Sequence, residues 1–302
     1  DKAFEEAALE ATQHRAERQR RLRASQMGNS RSRKGKLATV PSLALTGRPE
    51  MAIAWKNVVA ALRGGAWRTQ LLTFTIGLAA LAAVTRSASD RAGDVFMGVT
   101  FAWGAMLLFI GPLWMRFDLR LDLPRLAMLK TMPLPGWRIV AAEIAAVTAL
   151  HSITVWSLMV VPLVMFLQEP ALLAESGATI PIIVSVAVGV PIFNALMFTI
   201  QNGTALLFPA WVRLGTEARG FETMGQNLLT TSATTLVAAV ALVFPVGLGA
   251  LILWITNDWG GWSVLVATIM ASAVVMAELW PLLLWLGSVF EKIDVSEVAA
   301  ST

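Results

Sequence analysis

Cysteine is absent from this 302-residue chain. That excludes a disulfide framework, a thiolate metal site and a cysteine nucleophile. Histidine occurs only at His14 and His151, too few for a multi-histidine metal centre. Tyrosine is absent as well. Charged residues make up 15% of the chain, where a soluble domain carries about a quarter. The two soluble domains that length alone suggests are therefore excluded. What the chain has in abundance is apolar residues, 56% of the total with a mean hydropathy of +0.64. They lie in long uninterrupted runs, so the expected solvent is the bilayer.

The net charge of +4 invites a nucleic-acid reading, but its distribution argues against one. Fourteen of the 24 Lys and Arg lie between Lys2 and Arg68, before or at the very start of the first long apolar run. A basic segment beside a membrane span is explained by topology and by anionic lipid headgroups. Residues 1–27 are rich in Ala, Glu, Arg and Gln and predict a solvated helix. Residues 28–49 are polar, basic and interrupted by Gly and Pro, and predict a disordered linker. The chain begins at Asp1, which suggests a fragment or a processed protein. In residues 50–66, Met51, Trp55, Val58, Val59 and Leu62 recur at helical spacing, with Lys56 and Asn57 off the stripe. This predicts an amphipathic helix lying flat at the membrane interface, anchored by Trp55.

Six apolar stretches follow, at 67–85, 95–115, 139–167, 179–209, 228–255 and 262–290. Each reaches the roughly 20 residues that a helix needs to cross a bilayer. The expected fold class is all-α: a polytopic membrane protein with a six-helix domain at 67–290. Pro162, Pro181, Pro191 and Pro245 are candidate kinks. With an inside amino terminus, 22 of the 24 Lys and Arg fall on the inner side and only Arg86 and Arg91 outside. Both termini, including a tail at 291–302, are therefore expected in the cytosol, and the compartment is the cytoplasmic (inner) membrane.

The loop at 116–138 is the most informative feature. Arg116, Asp118, Arg120 and Asp122 alternate with Phe117, Leu119, Leu121 and Leu123; Leu126, Met128 and Leu129 continue the apolar set. A plain connection needs only a few polar residues. This one needs cover for its apolar face, from the membrane surface or from a separate cytosolic protein. Within the spans, Glu143, His151, Asn194, Gln201, Asn202 and Glu278 are polar. Such residues are costly in lipid; they mark a translocation path or bind helices to one another. Glu143 is near enough to a span end to meet Arg138. Glu278, at mid-depth, is the strongest single candidate. No phosphate-cradling loop occurs, because Gly35-Lys36 is followed by Leu37 and Ser30 stands where the first Gly should be.

These loops resemble those of the membrane subunit of type-2 ABC exporters, and most closely the ABC exporter permease family. The resemblance rests on five short motifs. They are Trp55-Lys56-Asn57, the Arg-x-Asp-Leu-Arg-x-Asp-Leu run at 116–123, Leu-Lys-Thr-Met-Pro-Leu at 129–134, Ile139 followed by Glu143, and Arg-Gly-Phe-Glu-Thr-Met-Gly-Gln at 219–226. It covers about residues 50–295. The resemblance implies that the 116–138 loop docks an ABC ATPase subunit. The residues it implicates are Leu119, Arg120, Asp122, Leu123, Arg125, Leu126, Leu129, Lys130 and Pro133. It also implies ATP and Mg on that partner rather than on this chain, and a second permease half or a homodimer partner. Membrane lipid is the other expected partner, and nucleic acid is not one. One departure is the short loop at 256–261, where wider-group members often carry a helical hairpin, unless the Pro-Val-Gly-Leu-Gly stretch at 245–249 is re-entrant.

Two other functions stay open. An ion-gradient-coupled secondary transporter would use Glu278, Glu143 or His151 as a proton relay. An intramembrane enzyme lacks the inventory: no Gly-x-Ser-x-Gly occurs, and His151 has no partner evident in sequence.

Overall fold

The computed structural model describes residues 47–64, 66–86, 92–115, 117–167, 176–209 and 221–294. The helix expected at 1–27, most of the linker and the end of the tail lie outside these residues. Among the described residues the regular structure is helical and no strand occurs. The long helices are α1 (Pro49–Gly64), α2 (Ala66–Arg86) and α3 (Ala92–Trp114). Two short helices follow, α4 (Leu119–Asp122) and α5 (Leu126–Lys130), joined by one 3-10 turn. Then come α6 (Gly136–Leu167), α7 (Ser176–Leu207), α8 (Phe221–Ile255) and α9 (Gly261–Lys292).

Four segments are long and apolar enough to cross a membrane: Gly136–Val160, Ile180–Leu207, Leu228–Ile255 and Gly261–Lys292. The first two stretches also form helices, α2 and α3, but their apolar parts are shorter, Phe74–Ala83 and Gly98–Leu113. Arg68, Gln70 and Arg86 dilute α2 at its ends. Helices α7 and α8 run unbroken through Pro181, Pro191 and Pro245. The 245–249 stretch is therefore ordinary helix, and the α8–α9 connection is a short turn with Gly260 at φ +59°. That left-handed conformation favours glycine. Trp254, Trp259 and Trp262 are exposed around this turn.

Burial is unevenly shared. The α6 span is 72% buried inside the protein, whereas those of α8 and α9 are 17% buried. The main core lies where α1, the 119–130 segment, α6, α7 and α9 converge, around Ile53, Leu119, Leu126, Ile139, Phe198 and Phe290. A second cluster joins α7, α8 and α9 through Leu196, Ala238, Val275 and Leu279.

Helix α1 differs from expectation. Pro49 presets the first turn, and Glu50 and Arg63 complement the dipole at the two ends. The face turned to the protein is Ile53, Asn57 and Ala61, spaced four apart and buried. Met51, on the stripe read as the working face, is 55% exposed, and the rest of that stripe is half-buried. A helix periodicity finds an apolar stripe but not which of two usable faces meets protein. Here the polar Asn57 went inward because buried acceptors lie opposite it.

The α6–α9 crossing is close. A Cβ on Gly136 would overlap the Gly287 carbonyl, and one on Gly287 would overlap the backbone of Trp137. Each helix end is also capped across this contact. Glu291 of α9 accepts a hydrogen bond from the Gly136 backbone N–H at 2.6 Å, placing an anion at the α6 amino terminus. Lys130 donates to the Glu291 carbonyl at 3.1 Å and to the Ile293 carbonyl, placing a cation at the α9 carboxyl terminus.

Gly287→Ala should therefore destabilise the protein by about 2 kcal/mol through overpacking. Gly247→Ala, with open space around the new Cβ, should leave stability equal or slightly raised. Thermal midpoints in mild detergent compare the two; equal midpoints would remove the crossing as a constraint.

Candidate functional site

The 117–135 segment folds back onto the bundle. Asp118 caps α4, its Oδ1 accepting from the Arg120 backbone N–H at 3.1 Å. The Arg120 side chain is buried and fully engaged. Its Nε donates to Asp118 Oδ1 at 2.9 Å and its Nη2 to Asp118 Oδ2 at 2.8 Å. Nη2 also reaches the carbonyls of Pro112 (3.1 Å) and Met115 (2.6 Å), at the carboxyl end of α3. Nη1 donates to Gln201 Oε1 on α7. Asn202, next on α7, donates to Asp118 Oδ2 at 2.9 Å. A planar guanidinium with five donors suits this task, and a helix carboxyl terminus favours a cation. One residue thus ties α3, α4 and α7 together.

A second polar cluster lies beside it. Lys56 of α1 donates to Glu143 Oε1 at 2.9 Å on α6 and also binds Asp122 at the end of α4. Asn57 donates to Glu143 Oε2. Glu143 is completely buried, and the Lys56 side chain is 36% exposed. Burial pulls the Lys56 ammonium down, but the Glu143 and Asp122 carboxylates outweigh it and hold Lys56 above its ordinary value. Two carboxylates share this one ammonium.

Four residues of the segment's apolar set are covered by the chain itself. Leu119, Leu123, Leu126 and Leu129 are buried against Ile53, Ile139, Val140, Leu206 and Phe290 of the same chain. The expectation that lipid or another protein covers them is corrected. Converging ends of α1, α6, α7 and α9 supply that cover, and sequence spacing cannot show it. Of the residues implicated in docking, Leu119, Arg120, Asp122, Leu123, Leu126 and Leu129 face inward, and Lys130 caps α9. Arg125 and Pro133 are exposed, together with Leu121 (43%) and Met128 (62%).

The polar residues of the spans are dispersed rather than gathered. Glu143 joins α1, not Arg138, which pairs with Glu50 at 3.1 Å. His151 is buried, with Nε2 donating to the Leu107 carbonyl at 3.1 Å and the ring edge-on to Phe198. Gly111 leaves the space that the ring occupies. Asn194 donates to Ser152 at 3.0 Å, and Gln201 serves Arg120. Glu278 is half-buried on α9 with no hydrogen-bond or ion-pair partner among the described residues. Sequence reasoning missed Asp118, Asn57 and Asn202 as contact makers. The close pairing of Asp118 with Arg120 was the available signal for the first.

Removing Lys56 leaves two carboxylates without a counterion. Lys56→Met should cost about 3 kcal/mol, and Lys56→Met with Glu143→Gln should recover part of it. Because the folded-state value of Lys56 is raised, its contribution is complete below the unfolded value and is lost as pH rises through the folded one. The gap in thermal midpoint between wild type and Lys56→Met should therefore close in the alkaline range above the ordinary lysine value; a gap independent of pH there would contradict the pairing. No protein-family model, curated protein or solved structure matches the chain.

Proposed function

We propose that this chain is the membrane-spanning permease subunit of an ABC-type exporter, moved by a separate ATPase docked on the 116–138 segment. In this reading α2 and α3 complete six spans, both termini are cytosolic, and a second permease half or copy completes the path. The supporting observation is the two-sided character of the segment. Its inner side is fastened by buried charges to α1, α3, α6 and α7. Its outer side presents Leu121, Arg125 and Met128 to solvent. A force applied to the outer side would reach four helices without passing through a flexible linker. The excess of Lys and Arg on the same side supports a cytosolic location, and so does the resemblance of the loop motifs.

A second reading, ion-coupled transport, is favoured by one observation: Glu278 is a carboxylate without a partner among the described residues, on a helix long and apolar enough to span a membrane. Glu143 and His151 are committed to contacts elsewhere, so the relay would rest on Glu278.

Arg125→Glu combined with Met128→Ala should weaken association with the native ATPase about tenfold and lower ATP-driven transport equally. Folding should be unaffected, since both side chains are exposed. Co-purification from the native membrane and ATP hydrolysis read the outcome. Full association would overturn the docking surface, and transport that needs no nucleotide but stops in Glu278→Gln would favour the second reading.

A further inference from the structure

Helix α9 has 32 residues, so it is about 48 Å long, well beyond the roughly 30 Å of a hydrocarbon layer. Its length therefore leaves open which part is immersed. Tryptophan supplies the mark, because its ring is amphipathic and gathers at the two membrane–water boundaries.

Trp137 of α6 and Trp280 of α9 meet edge to face, with ring centroids 5.6 Å apart. The start of α6 lies against the end of α9 at Gly136 and Gly287, so both helices lead away from this contact to the same far side. Each carries a second, exposed tryptophan in that direction, Trp156 on α6 and Trp262 on α9. By helix rise the spacing is about 28 Å on α6 and about 27 Å on α9. Two helices thus give one spacing, and it is that of a hydrocarbon layer. Between the two tryptophans of α9 the exposed side chains are Ile269, Met270, Ala273, Met276 and Ala277, all apolar. Exposed charges come at the edges of this interval or beyond it. Arg138 follows Trp137 and holds its guanidinium 5.3 Å from that ring, Glu291 and Lys292 end α9, and Asp258 lies in the turn before Trp262.

We infer that two tryptophan girdles fix the bilayer on this protein, an inner one at Trp137, Trp280 and Trp285 and an outer one at Trp156, Trp254 and Trp262. The exposed face between them meets lipid tails. The inference rests on the membrane crossing of α6 and α9 and holds whether or not an ATPase drives the chain. It moves Glu278 away from the mid-depth position expected for it. Along α9 that carboxylate is about 3 Å from Trp280 and about 24 Å from Trp262, which places it at the inner boundary, within reach of water. The middle of the layer falls between Met270 and Ala273. A proton relay through that middle finds no acid on α9, whose carboxylates are Glu278 and Glu291.

The absence of cysteine makes any introduced thiol unique. Met270→Cys, Ala273→Cys, Ala277→Cys and Leu284→Cys, all at exposed positions of α9, are made singly in the full chain. Each carries a nitroxide spin label in phosphatidylethanolamine–phosphatidylglycerol vesicles. The ratio of collision rates with oxygen and with a nickel chelate reads depth, since oxygen collects in hydrocarbon and the chelate stays in water. Depth should be greatest at positions 270 and 273, lower by about 6 Å at 277, and lowest at 284. On α6, Ala145→Cys and Ala149→Cys should read nearly equal depth, because they flank the middle of the Trp137–Trp156 interval. A maximum at 277 would overturn the inner girdle and return Glu278 to mid-depth. Clearly unequal depths at 145 and 149 would overturn the spacing shared by the two helices. Chelate access at every position would overturn the inference together with the membrane crossing beneath it.

Discussion

A guanidinium taken out of water must be met on every side, and Arg120 is the point from which the lower half of this bundle is organised. Its donors face carbonyls at the end of α3, the Asp118 carboxylate and the Gln201 amide. A buried charge with one partner missing costs several kcal/mol in general, so these groups hold one another in place. The backbone of 117–122 has little freedom once Arg120 is bound, because Asp118 both caps α4 and neutralises the guanidinium. The neighbouring Lys56 cluster repeats the device, joining α1 and α6 to the same segment.

Polar fastening is needed because the hydrophobic effect provides little discrimination inside a membrane. Lipid tails are as apolar as leucine side chains, so burial against protein gains no transfer energy there. Close packing and hydrogen bonds decide which helices meet. The Gly136–Gly287 crossing, with Glu291 and Lys130 capping the two helix ends, is one such decision. His151 in the space left by Gly111 is another. The spans of α8 and α9 keep most of their apolar surface outward.

The same logic bears on activity. A segment fastened inward by buried charges and exposed outward suits the proposed docking role.

Much of the architecture was legible in the residues. Long apolar runs without charge can only be buried helices or spans, because unpaired backbone is too costly in lipid, and α6 to α9 follow from that alone. The two-sided pattern of the 116–138 loop was legible too, from charges alternating with leucines. Its orientation was not. Whether Leu119 and Leu126 face a partner or their own chain depends on Ile53, Val140 and Phe290, which are distant in sequence and have no periodic relation to them. Lys56 and Glu143 are 87 positions apart, and neither announces the other. Composition and pattern therefore determined the long helices and their fitness to cross a membrane. Tertiary packing alone decided which charges pair and which face of each helix turns inward, because those choices arise from contacts between segments that local sequence cannot encode.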